Sequence, residues 1–345
     1  MKHPTERLQP WGAGPGQGGG GDVGSGQRGG TQGAGMVLRN ALLAASGSGR
    51  LRAAVERSAA ARSMVRRFIA GEEADDAVRT VGELAGQGLL ATVDRLGEDV
   101  GHPAAAEEAV RGYLGLLERL DDAGLTGAAE VSVKPSAVGL ALGPEGGALA
   151  RAGLDRICAA AAEVGTTVTL DMEDEAAVEP TLGLLRALRE RHPSLGVAVQ
   201  SYLRRTEDDV RALAAQRVRV RLVKGAYAPD PERAHTARRD VDAAYVRCLR
   251  TLMAGEAYPM VATHDPRLIG IARALAARYG RDRKGYELQM IYGARPDEQL
   301  RLAAAGERMR VYVPYGRDWY GYLLRRLAER PANVGFAARS LATRD

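Results

Sequence analysis

The chain has 345 residues, 45% of them apolar, and 48 basic side chains stand against 43 acidic ones for a net charge of +5. That is enough apolar material for one large core or two smaller ones. The basic excess is spread along helix-type patterns with no basic run interleaved with aromatics, which argues against nucleic acid as a partner, and no apolar run reaches the length of a membrane span. Residues 1–35 are Gly-rich with almost nothing to bury and read as a disordered tail; residues 36–86 turn helical and are expected to cap or flank the main domain. That domain is expected over residues 87–345. It carries eight strand-type runs, at Gly88–Leu96, Glu130–Ala137, Thr166–Met172, Leu195–Tyr202, Val218–Val223, Met260–Thr263, Tyr286–Tyr292 and Arg310–Pro314. Helical patterns lie after them near 104–125, 146–164, 175–191, 206–216, 236–254, 266–279, 296–305 and 318–330. Strand–helix alternation repeated eight times predicts a closed (β/α)₈ barrel of the TIM type, with extra N-terminal helices and a final helix over its mouth. A doubly wound open sheet is the rival, but the Gly-rich first turn that goes with nucleotide binding in that fold is missing.

The two cysteines, Cys158 and Cys248, fall in helical patterns as small core residues, and neither a disulfide framework nor a Cys/His metal spacing is present. A reducing cytoplasm is the default location, and no metal is expected. In a barrel of this kind, active groups sit where strands run into the following loops. Those ends are rich in ionisable and amide side chains: Asp94 to Glu98, Lys134 to Ser136, Asp171 to Asp174, Gln200 to Tyr202, Arg221 to Tyr227, Thr263 to Asp265, and Gln289. Lys134 and Asp171 lie inside apolar runs, where an unpaired charge is costly, so each needs a partner. A structural ion pair between neighbouring strands would satisfy both. On the last helix Tyr322, Arg325, Arg326 and Glu329 share one face by spacing. Paired guanidiniums suit a carboxylate or phosphate, although pairing of both with Glu329 on a solvated face fits the spacing too.

With these residues in register, the chain resembles proline dehydrogenase in its monofunctional bacterial form. The matching segments run in order from Asp94–Glu98 through Val131–Ser136, Leu170–Asp174, Val199–Tyr202, Arg221–Tyr227, Ala262–Asp265 and Tyr286–Gly293 to Val311–Glu329. The resemblance implies an FAD-dependent barrel enzyme that oxidises L-proline to pyrroline-5-carboxylate by hydride transfer from C5 to flavin N5. Electrons would pass to a quinone, which implies peripheral contact with the inner face of the cell membrane. It further implies that Lys134, Arg325 and Arg326 hold the proline carboxylate and that Asp171, paired with Lys134, and Tyr227 complete the pocket. Tyr312 and Tyr322 would pack against the ring, and Glu98 would gate the site by pairing with Arg325. For FAD the implied set is Met172, Gln200, Arg221, Val223, Lys224, Gly225, Ala226, Thr263 and His264, and Arg221 is counted with Asp171 and Tyr227 as catalytic. Arg221 and Gln200 suit the negative charge of a reduced flavin, and the missing side chain at Gly225 lets backbone approach a cofactor closely. His264 is otherwise a core histidine satisfied by a backbone carbonyl. His235 and Arg238 stand where the family often has Tyr and Lys, and the Pro229-Asp230-Pro231 loop is this chain's own.

Two other readings use the same residues. Lys224, ending a barrel strand, could serve a Schiff-base aldolase as its amine nucleophile. A barrel that only binds an acidic partner would show salt-sensitive binding and no chromophore.

Overall fold

A computed structural model describes residues 65–227 and 229–329. The expected tail, most of the N-terminal helical region and residues 330–345 lie outside the described residues.

Eight parallel strands close into a barrel in sequence order: β1 (Leu90–Arg95), β2 (Ala129–Val133), β3 (Val168–Leu170), β4 (Gly196–Gln200), β5 (Arg219–Val223), β6 (Tyr258–Ala262), β7 (Glu287–Ile291) and β8 (Met309–Tyr315). Helix α1 (Ala74–Gly86) precedes β1. The crossover helices are α2 (Pro103–Asp122), α3 (Gly146–Glu163), α4 (Val178–Arg189), α5 (Thr206–Ala215), α6 (Arg238–Ala254), α7 (Pro266–Arg278) and α8 (Pro296–Ala304), and α9 (Trp319–Glu329) follows β8. The predicted (β/α)₈ barrel is therefore the observed fold, and the open-sheet rival is wrong.

Period-two alternation divides each strand. Val131 and Val133, Val197 and Val199, Val220 and Leu222, and Val311 and Val313 are buried members of the main apolar cluster, together with helix residues such as Leu116, Leu154 and Leu185. The intervening residues, Thr92, Glu130, Ser132, Arg221, Gln289 and Arg310, are polar, equally buried and bonded to one another across the barrel. The interior is thus filled by charged, amide and hydroxyl groups rather than by the usual branched aliphatics.

A second, smaller cluster lies beside β8. Leu96, after β1, joins Trp319, Tyr320, Tyr322, Leu323 and Leu324 of α9 and Phe68 and Ile69 of a helical turn at residues 65–68. The backbone of that segment is tied to the end of β8, with Ala70 N–H donating to Pro314 O and Gly316 N–H to Gly71 O, both at 2.9 Å. Gly316 has φ +124°, a left-handed conformation that lets β8 turn sharply into α9. Residues 65–69 and α9 thus sit together at the C-terminal ends of the strands.

Candidate active site

Lys134, the residue after β2, is 7% exposed, and its Nζ donates to both carboxylate oxygens of Asp94 on β1 at 2.7 Å. Burial works against the ammonium, but Asp94 and then Asp171 outweigh it and hold the Lys134 pKa above its ordinary value. Asp94 is fully buried; burial pushes its carboxyl up and Lys134 pulls against that. The expected Lys134–Asp171 pair is therefore not formed. Asp171 N–H donates to Val133 O, so Asp171 and Lys134 are neighbours across the β2–β3 seam. The Asp171 carboxylate, however, is already occupied. One oxygen accepts from Arg221 Nη1 at 2.6 Å and the other from the Tyr312 hydroxyl at 2.6 Å. Tyr312 is pushed well above the ordinary phenol range by burial and by Asp171, which keeps its proton in place to donate.

Arg221 sits at the centre. Its Nε donates to Gln289 Oε1 and its Nη1 to Ser132 Oγ, each at 2.8 Å, and its Cζ lies 5.2 Å from the centre of the Tyr312 ring. Below it, burial pushes the Glu130 carboxyl up, but the guanidiniums of Arg310, Arg219 and Arg221 override that and bring it to about 2. Arg310 also pairs with Glu287 at 2.8 Å. In this network the cations Lys134, Arg219, Arg221 and Arg310 meet the carboxylates Asp94, Asp171, Glu130 and Glu287 one for one.

The candidate cofactor residues follow the strand ends from β3 to β6. Met172, Gln200 and Thr263 are buried, while Val223, Lys224, Gly225, Ala226, Tyr227 and His264 are half-buried. Gln200 Nε2 donates to the Glu173 carbonyl at 2.8 Å. Gly225 has φ +117°, and a Cβ there would fall within the Tyr202 ring. His264 Nε2 accepts the Ile291 N–H at 3.0 Å, which ties the residue after Thr263 to the end of β7. Lys224 pairs with Asp242 and lies 3.9 Å from Asp265, an environment of carboxylates unlike the apolar pocket that a Schiff-base lysine needs. Tyr245, near the two departures from the family pattern, donates to Leu222 O and Ala262 O, fastening α6 to the β5–β6 seam.

Glu98 lies half-buried, three residues past the end of β1. Tyr322 is buried in the smaller apolar cluster. Arg325 and Arg326 fall on α9, but their side chains lie outside the described part of the structure. Sequence reasoning gave no role to Asp94, Ser132, Glu130, Gln289 or Arg310. The signal for them was a charged, amide or hydroxyl residue at every second strand position, as in Glu130-Val131-Ser132 and Arg219-Val220-Arg221. Among the described residues no group of three or more His, Cys, Asp or Glu could hold a metal ion, and no helix is long and apolar enough to cross a membrane.

A closed parallel barrel whose strands end in one network of charged and amide groups defines a barrel enzyme. The chain is matched over residues 77–339 by the family model described as "Proline dehydrogenase". It is 37% identical over 276 residues to "Proline dehydrogenase 1" of Bacillus subtilis, covering 80% of this chain and 90% of that one. It is 35% identical over 306 residues to "Proline dehydrogenase 2" of the same organism, covering 89% and 99%, and 37% identical over 281 residues to "Proline dehydrogenase" of Deinococcus radiodurans, covering 81% and 90%. Proline utilization A from Bdellovibrio bacteriovorus, solved after inactivation by N-propargylglycine, superposes with a TM-score of 0.75 at 25% identity over 88% of this chain and 37% of its own. The D778Y mutant of Bradyrhizobium japonicum proline utilization A shares the fold, with a TM-score of 0.66 at 24% identity over 81% and 32%. The chain belongs to the proline dehydrogenase family, whose members are oxidoreductases acting on CH–NH bonds.

Proposed function

We propose that this protein oxidises L-proline to pyrroline-5-carboxylate, with the substrate carboxylate at the Lys134 mouth and FAD along the ends of β3 to β6. The observation that carries the reading is the buried Lys134 ammonium beside Asp94 and the Asp171–Arg221–Tyr312 triad, a charge-paired, hydrogen-bonded floor suited to a small amino acid. The local cations are already matched by carboxylates, so a further carboxylate calls for further positive charge. Arg325 and Arg326 are the residues proposed to supply it. Tyr312 and Tyr322 are proposed to bound the pyrrolidine ring, Tyr227 to close the pocket, and Glu98 to gate it.

The residues present fit a flavin. Met172, Gln200, Val223, Lys224, Gly225, Ala226, Thr263 and His264 supply amide, hydroxyl and cationic donors along one edge. The buried Ser201 hydroxyl beside them has no partner among the described residues. FAD, when bound, supplies hydride acceptance and onward delivery of electrons to a quinone. The chain's part is to orient: Arg221, fixed by Gln289, Ser132 and Asp171, presents a cation that does not move, and the ordered donors around it need no reorganisation. Delivery to a quinone implies peripheral contact with a membrane surface.

The test is optical. The purified protein, as isolated or reconstituted with FAD, should show flavin absorbance that bleaches when proline is added without oxygen. Protein that takes up no flavin would end the reading. Arg325→Met and Arg326→Met should each raise the proline KM by tenfold or more, the worth of a lost charge-assisted pair, and should keep the flavin spectrum. Loss of flavin in either would remove these residues from the substrate site.

A further inference from the structure

Glu173, two residues past Asp171, belongs to neither the substrate set nor the cofactor set, yet it is 6% exposed and fully engaged. One of its carboxylate oxygens accepts the Ser136 N–H at 2.9 Å, and the other accepts the Ser136 hydroxyl. With its hydrogen committed there, Ser136 Oγ accepts the N–H of Asp99 at 2.9 Å. Asp99 follows Glu98 in the loop between β1 and α2 and has φ +52°, a left-handed conformation rare outside glycine. Such a conformation persists where the surroundings hold it. Here the hold runs from the loop after β3, through the loop after β2, to the loop after β1, and Gln200 on β4 anchors the Glu173 backbone.

We propose that Glu173 is a positioning residue for substrate capture: working through Ser136, it fixes the loop from Gly97 to Asp99, and Glu98 with it, beside Lys134 at the mouth. The inference rests on the reading of that mouth as the proline site. A carboxylate is required for the hold. Ser136 presents two donors, and only the ionised group offers both an acceptor. A protonated or amide side chain strands one of them, the Ser136 hydroxyl loses its fixed direction, and its grip on Asp99 weakens. Burial raises the Glu173 carboxyl to about 7, against the two Ser136 hydrogen bonds that hold it down. The charged groups facing it are Lys134, which favours the carboxylate, and Glu98, which opposes it. The loop is therefore released as the pH falls through about 7.

The experiment uses the full chain with its flavin. Amide hydrogen exchange at Asp99, corrected for the intrinsic rate, should lose about tenfold protection in Ser136→Ala and Glu173→Gln, the worth of one hydrogen bond to a polarised acceptor. Wild-type protection should fall between pH 8 and pH 6, while that of Glu173→Gln stays flat. In both variants the proline KM should rise about tenfold with kcat within about twofold and the flavin spectrum unchanged. Unaltered Asp99 protection, or lost protection with an unchanged KM, overturns the proposal. Should Glu173→Gln fail to fold, Ser136→Ala, which removes a single oxygen, decides it. The exchange measurement needs no proline, so failure of the hold is distinguishable from failure of the proline reading, which would appear as wild-type protein without turnover; in that event the exchange result decides the hold alone.

Discussion

At Lys134 a single ammonium had two carboxylates within reach, and the choice between them was made on the far side of the barrel. Asp171 lies across the β2–β3 seam but is bound by Arg221 and Tyr312, so Lys134 turns to Asp94. Sequence could show that a charge inside an apolar run needs a partner; it could not show which, because Arg221 and Tyr312 are distant in the chain and their claim on Asp171 exists only once the barrel closes. Asp94→Asn leaves the ammonium buried against a neutral group and should cost about 3–5 kcal/mol of unfolding free energy, read from denaturant melts. Replacing both partners by apolar groups of similar size, as in Asp94→Leu with Lys134→Met, should recover most of that stability while proline saturation stays impaired. An Asp94→Asn protein within about 1 kcal/mol of wild type would show that the pair is not what keeps Lys134 charged.

The strands and helices were legible because period two and period 3.6 alternate so regularly along the chain. Boundaries were less so. β6 begins at Tyr258 rather than Met260 because Pro259, which reads as a strand breaker, is accommodated at the first turn of the ladder opposite Val220. β3 is only three residues long, and Thr166, expected inside it, instead donates its hydroxyl to Ala129 O. The turn after β5 is the element most exposed to a small change. Gly225→Ala would force a Cβ into the space of the Tyr202 ring on a backbone with positive φ. The expected outcome is a protein that folds with flavin affinity lowered at least tenfold, since Tyr202 or the Lys224–Ala226 turn must move; titration of apoprotein with FAD checks it. Wild-type affinity in that variant would show that the turn does not approach the cofactor.

Across the whole molecule, the sequence pattern specified a barrel but not its contents. Glu130, Arg219, Arg221, Glu287 and Arg310 each look like an ordinary charged residue at a strand position, and their neutralisation, completed by Asp171, appears only when eight strands bring them onto one axis. The substrate role proposed for the arginines of α9 rests on spacing and family likeness together, not on period alone.

The mouth and the barrel have separate apolar cores, and this has a practical consequence. Phe68, Ile69 and Leu96 with the first turns of α9 form a small apolar cluster of their own beside the eight-strand ladder. Elements with few buried neighbours open at lower free energy than the body they rest on. On a temperature ramp, turnover should therefore disappear several degrees before far-ultraviolet circular dichroism changes, and a bound proline analogue should narrow the interval by mass action. Heat-inactivated samples cooled from inside that interval should regain activity at once, because the scaffold that the small unit settles back onto was never lost.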